Sequence, residues 1–390
     1  MMKNLLLRPF RTSLCSVVAV AMVGLSAGAD AQTEFTYIGD GEGGGSLWLT
    51  TAFWTGGTSG QFPGLSGNTG HSGDGTVSDM AVFSDYIPPG GKTVRVNMGS
   101  GSNGANGSLT LGAVRFLASS SPASSDFAIV NSNGTTDGFI KLTGNTINGV
   151  DHTIISNESA YALGFRRLGI TNNRLLDLQL GNADANVIQI NGSGNVEISS
   201  QISAGSGVSN PNLTLDGSGT GSLILTGQNS YGGTTLIRRG TLVAGSSTAL
   251  GTSEVTLGGF SNAATLRIKN GVVLDLASLA LTQDALLSFE LGAVSATTKI
   301  TASGQLGNGT YQVGIVDVGG LEAGEYVLLE TTGWDAAGFS LAAPVAGFED
   351  SYLSWDSGVL KLTVIPEPGV GALALCSGVA LLGLWRLRRK

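Results

Sequence analysis

The sequence predicts an all-β fold in which short strands stack into a solenoid. Three observations carry that expectation. First, 61 of the 390 residues are Gly and only 12% are charged, about twice and half their usual shares. Second, apolar residues alternate within short runs, as in Ile188/Ile190, Val196/Ile198 and Leu223/Leu225. Alternation between Gly-rich turns gives each strand one buried face. Third, related segments recur. Asn191-Gly192-Ser193-Gly194 returns as Asp216-Gly217-Ser218-Gly219, and Thr241-Leu242 returns as Thr265-Leu266. A period of about 24 residues is that of stacked repeats, in which each turn of chain covers the open face of the one before.

The elements follow in chain order. Lys3, Arg8 and Arg11 precede an apolar run from Leu14 to Leu25, and Ala29-Asp30-Ala31 follows. Basic, apolar and small-x-small segments in that order read as a signal peptide, residues 1–31, cleaved after Ala31 with Ala29 and Ala31 in the peptidase pocket. An uncleaved amphipathic helix is the other reading. Residues 32–90 read as an N-terminal capping region, since terminal repeats need atypical covers. Within it, Trp48 and Trp54 are read as core rather than as sugar platforms. Residues 91–290 read as the solenoid; circuits of about 24 residues would give roughly eight layers and a rod of about 40 Å. Leu274–Leu287 also carries a hint of helical periodicity, which solenoid circuits explain equally well. Residues 291–365 read as a C-terminal β cap with longer strands at Tyr311–Val318, Tyr326–Glu330 and Val359–Val364, part of it antiparallel.

The last segment is tripartite. Pro366-Glu367-Pro368 leads into an apolar stretch over 369–385, and Arg386, Arg388, Arg389 and Lys390 close the chain. Seventeen residues of helix span about 25 Å, near the lower limit for a membrane crossing. The terminal cations would act as a membrane stop on the cytoplasmic side. Two prolines would keep the preceding segment extended for a processing enzyme.

This tail resembles the PEP-CTERM sorting signal of Gram-negative bacteria. The resemblance implies recognition by an exosortase, a membrane-anchored precursor, and a final place at the cell surface or outside the cell. A plain single-pass anchor is the alternative. A second resemblance lies in the body. Gly221-Ser222-Leu223-Ile224-Leu225-Thr226-Gly227-Gln228-Asn229-Ser230-Tyr231-Gly232-Gly233-Thr234-Thr235, followed by Gly240-Thr241-Leu242, is similar to the autotransporter-associated β-strand repeat, within residues 217–259. It implies a right-handed parallel β-helix on an exported protein. Arg239 stands where that repeat usually has a small residue. Tyr231 and Asn229 are read as structural, the ring capping a strand stack and the amide bonding a turn. The chain lacks the C-terminal β-barrel of a true autotransporter, which needs many alternating strands.

Charge and composition narrow the function classes. The formal charge is -8. Loss of residues 1–31 and 366–390 would leave 13 Lys+Arg against 26 Asp+Glu. Such a surface is no nucleic-acid binder. Both cysteines, Cys15 and Cys376, lie in the apolar ends, so the body has neither disulfides nor a Cys-type zinc site. Gly99-Ser100-Gly101-Ser102-Asn103-Gly104 matches a dinucleotide fingerprint literally, yet Ser108-Leu109-Thr110-Leu111 after it reads as strand where a helix is required. His71 and His152 sit in unrelated contexts. Glu349-Asp350 is the only adjacent acidic pair, and Asp40-Gly41-Glu42 fits neither calcium-loop spacing. No catalytic residue and no cofactor is expected. The expected function is a non-catalytic surface or extracellular-matrix protein, structural or adhesive in exopolysaccharide or biofilm. Its expected partners are signal peptidase, an exosortase, transiently the inner membrane, and an extracellular polysaccharide. The alternative is a β-helical enzyme or binder of polysaccharide.

Overall fold

The structure is a computed structural model that describes residues 34–37, 46–47, 54–56, 63, 79–84, 92–96, 108–118, 127–131, 138–166, 176–258, 264–282, 285–293, 296–304, 310–333 and 338–366. The chain divides into two compact units, Met1–Ala31 and Gln32–Lys390, and every described residue lies in the second. The all-β class is borne out: the regular elements among the described residues are strands, and most of their pairings are parallel. The two helices expected at the chain ends lie outside the described residues.

Three strand positions recur in fixed order. Ala113–Phe116, Phe127–Asn131 and Gly138–Leu142 belong to three successive ladders. The chain then returns to the first with Val150–Asn157, to the second with Leu163–Arg166 and to the third with Leu176–Leu180, each parallel to its predecessor. Val187–Ile190, Val196–Ile198 and Ile202–Ala204 repeat the sequence. The ten-residue strand Thr235–Ala244 then serves two ladders at once. Its first half pairs in the first ladder and Gly240–Ala244 in the second, which joins them into one 21-stranded sheet.

Alternation dictates the core. Val196, Ile198, Leu223, Leu225, Leu242 and Leu266 point inward and are buried, while Glu197 and Ile224 between them are only half covered. Each buried aliphatic side chain contributes about 1.5–3 kcal/mol. The inward reading of Leu223 therefore holds. Leu274–Leu287 contains parts of three strands, not a helix.

Among the described residues the second ladder passes eight strands between Lys92 and Leu291, and the circuits are not uniform. Lys92 pairs with Phe127, Leu163 with Val196, Val196 with Leu223, and Leu223 with Leu242. The last of these is the shortest circuit of the four. The Thr-Leu repeat is in true register, since Thr241 pairs with Thr265. The Gly-Ser-Gly repeat is not: the structure brings Gly219, not Gly217, beside Gly192, and Gly221 beside Gly194.

A hairpin supplies a second, smaller core. Asn145–Ile147 and Val150–Asn157 are antiparallel and joined by Asn148 and Gly149 at φ 52° and 75°, the backbone of a tight hairpin turn. Ile147 from this hairpin packs with Met80, Val82 and Ala113.

Both ends leave the parallel pattern. Glu34–Tyr37 lies parallel to Met80–Phe83 and antiparallel to Trp54–Thr55. Trp54 is buried, with its ring centroid 5.2 Å from Tyr37 and 5.7 Å from Phe83, so its core assignment holds; Trp48 lies outside the described residues. At the other end Gly324–Thr332 pairs antiparallel with Val359–Val364, which pairs antiparallel with Tyr352–Asp356. This is the antiparallel unit expected near the C-terminus.

Candidate functional site

The run 221–242 is the most organised stretch of polar chemistry in the structure. Between Leu225 and Thr235 the chain makes no third-ladder strand, which shortens the circuit from Leu223 to Leu242. Asn229 takes over part of the ladder's role. Its Oδ1 accepts from the Ile202 amide at 2.8 Å, and its Nδ2 donates to the Ala249 carbonyl at 2.5 Å. One amide thus bonds the circuits on either side, more than the single turn expected of it.

Tyr231 is fully buried and lies inside the stack, where a strand-end cap was expected. Its hydroxyl is 2.9 Å from Thr235 Oγ1, which is 2.8 Å from Ser253 Oγ, which donates to the Leu250 carbonyl at 2.5 Å. Burial pushes the phenol well above its usual pKa range, against the opposing pull of Thr235 and Ser253. It stays neutral, and no solvent or substrate reaches it. The relay satisfies interior polar groups that would otherwise cost stability.

Arg239, the departure from the repeat pattern, has a partner. Its Nε lies 2.5 Å from Asp216 Oδ1. Gly240 follows at φ 90°, where the strand bends from the first ladder to the second. A left-handed backbone there favours Gly.

Two charged groups lie elsewhere. Glu158 Oε1 accepts from Arg115 Nε at 2.9 Å, Asn148 Nδ2 at 3.0 Å and Ser156 Oγ at 3.3 Å. Burial raises the carboxyl's pKa, but these bonds and the arginine charge outweigh it and hold the value below 4.5. The group fastens the hairpin to the neighbouring strand. A cleft of about 220 Å³ is lined by Thr297, Lys299, Glu325, Tyr326, Val327 and Glu330 among others. Lys299 Nζ lies 2.7 Å from Glu330, and Lys361 Nζ 3.2 Å from Glu325. Each of these two carboxylates pairs with a lysine.

Most of the other residues singled out in the sequence lie outside the described residues. Ala29, Ala31, Glu367, Pro368, Arg386, Arg388, Arg389 and Lys390 lie outside the described residues, as do His71, Asp40 and Glu42. Pro366 is exposed at the end of the described chain. His152, at φ 59°, meets only the amide of Asn182 at 2.9 Å among the described polar contacts. Glu349 and Asp350 are exposed in a turn. Among the described residues no three His, Cys, Asp or Glu side chains gather to hold a metal, and no helix is long and apolar enough to cross a membrane. The Arg115–Glu158 group escaped sequence reasoning because its members are 43 residues apart and meet only through the parallel register of their strands, with Asn148 added by the hairpin.

Compared with protein-family models, with curated proteins and with solved structures, the chain matches none.

Proposed function

We propose that this chain is an exported, non-catalytic β-helix whose body is a stacking scaffold and whose ends are processing signals. The recurrent parallel order of three ladders supports a β-helix, and the repeat resemblance makes it right-handed. Signal peptidase removes residues 1–31. The Pro366-Glu367-Pro368 segment, the apolar stretch 369–385 and the terminal cations hold a precursor in the inner membrane until an exosortase acts. The product is a surface or matrix protein, structural or adhesive, with extracellular polysaccharide as its partner. The observation that carries this reading is the three-part tail in its order at residues 366–390. Replacing Pro366-Glu367-Pro368 by three alanines is the test. The expected result is a membrane-retained precursor; unchanged release refutes the sorting reading.

The cleft beside Lys299 favours one second reading, a polysaccharide binder or degrading enzyme. Turnover of purified exopolysaccharide that disappears in Glu330→Gln would establish it; no turnover by the wild-type chain would remove it.

A further inference from the structure

The described large apolar side chains are buried or half-buried with four exceptions: Val316 at 36%, Val318 at 49%, Tyr352 at 52% and Ile365 at 37% exposure. Val316 and Val318 end the strand Thr310–Asp317 and start the turn into Gly324–Thr332. Gly324 pairs with Val364, next to Ile365, and Thr363 pairs with Tyr352. The Ile365 amide donates to Ser351 Oγ at 3.2 Å, beside Tyr352. Tyr352 and Ile365 therefore lie together at one corner of the C-terminal cap, where the described chain ends at Pro366, and Val316 and Val318 lie where the chain turns toward the strand that enters this corner.

We infer that this corner rests on the lipid bilayer. The inference builds on the membrane-anchored precursor proposed above. The apolar stretch begins at Gly369, just beyond Pro366-Glu367-Pro368. Extended chain reaches at most about 3.5 Å per residue, so the corner sits within roughly 10 Å of where that stretch enters the membrane. Aliphatic side chains and a tyrosine suit the interfacial zone. Asp317 beside Val318, and Glu349 and Asp350 just before Tyr352, are exposed and oppose deep burial and anionic headgroups, so the fitting surface is zwitterionic.

The test uses the full chain in phosphatidylcholine vesicles, with Cys15 and Cys376 replaced by alanine. Single spin labels go on Val318→Cys, Tyr352→Cys and, as a distant exposed control, Ser247→Cys. Collision with oxygen reports the membrane zone, and collision with a nickel chelate reports water. The expected result is a several-fold lower nickel accessibility at 318 and 352 than at 247, with higher oxygen accessibility. A chain that floats with the vesicles but shows three equally aqueous labels overturns this inference alone. A chain that does not float overturns the anchored precursor and this inference with it.

Discussion

The centre of the molecule, 176–258, and its C-terminal end, 310–366, solve the same problem differently. In the centre every ladder neighbour comes from the next circuit, so backbone must approach backbone closely. A Cβ added at Gly219 would lie 2.0 Å from the Gly192 carbonyl oxygen, and one at Gly221 would lie 2.2 Å from that of Gly194. Several interior polar groups there are paired inside the stack, as in the Tyr231 relay. At the C-terminal end the ladder turns antiparallel, apolar side chains reach the surface, and ion pairs such as Lys361–Glu325 stand in solvent. The first region leaves no room for a side chain at corners such as Gly219 and Gly221; the second exposes apolar side chains instead.

The comparison would break first at the core. Leu223→Asp places an unpaired charge among stacked aliphatic residues and is expected to cost about 4 kcal/mol or more. Chemical denaturation measures it, and an unchanged midpoint would remove the inward assignment. Gly219→Val follows, at about 3 kcal/mol, because neighbouring backbone prevents relief; the change Ser354→Val, at an exposed position of the C-terminal strand Tyr352–Asp356, should cost far less. Asn229→Ala strands the Ile202 amide and the Ala249 carbonyl, for about 2 kcal/mol, seen as faster hydrogen exchange at Ile202. Lys361→Ala, at the exposed pair, should change stability by about 0.5 kcal/mol or less.

Glu158 sharpens the picture through pH. Its folded pKa lies below its ordinary value of 4.5. The group's contribution is therefore fully present above the unfolded pKa and is lost as pH falls through the folded one. Wild type should be more stable than Glu158→Gln at pH 7, and the gap should narrow as pH falls below the ordinary carboxyl value of 4.5 and through the lowered folded one. A gap independent of pH would mean that the carboxylate charge does not fasten the hairpin.

Much of this fold was legible because inward side chains alternate, and alternation survives any circuit length. Leu223 and Leu225 were readable for that reason. The register was legible only where successive circuits have similar lengths. Thr241 and Thr265 are true neighbours. The two Gly-Ser-Gly segments, by contrast, suggested Gly217 as the neighbour of Gly192, a place that Gly219 takes. Third-ladder strands and the 145–157 hairpin come and go without a repeating signature, and each changes the circuit length. The interior place of Tyr231 was hidden for a related reason: nothing local tells whether a ring beside a missing strand turns in or out. The Glu158 group needed the parallel register of its strands, with Asn148 added by the hairpin. The proposed processing signals are the opposite case, read from the sequence alone and lying outside the described stack.

The central claim is that a stable stacked body lies between two removable addresses. The most direct measurement is the intact mass of the protein recovered separately from membranes and from medium. The account predicts a released form lacking residues 1–31 and the tail from about 366, alongside a heavier membrane-bound precursor. A single species that keeps the tail, in every fraction, would contradict it.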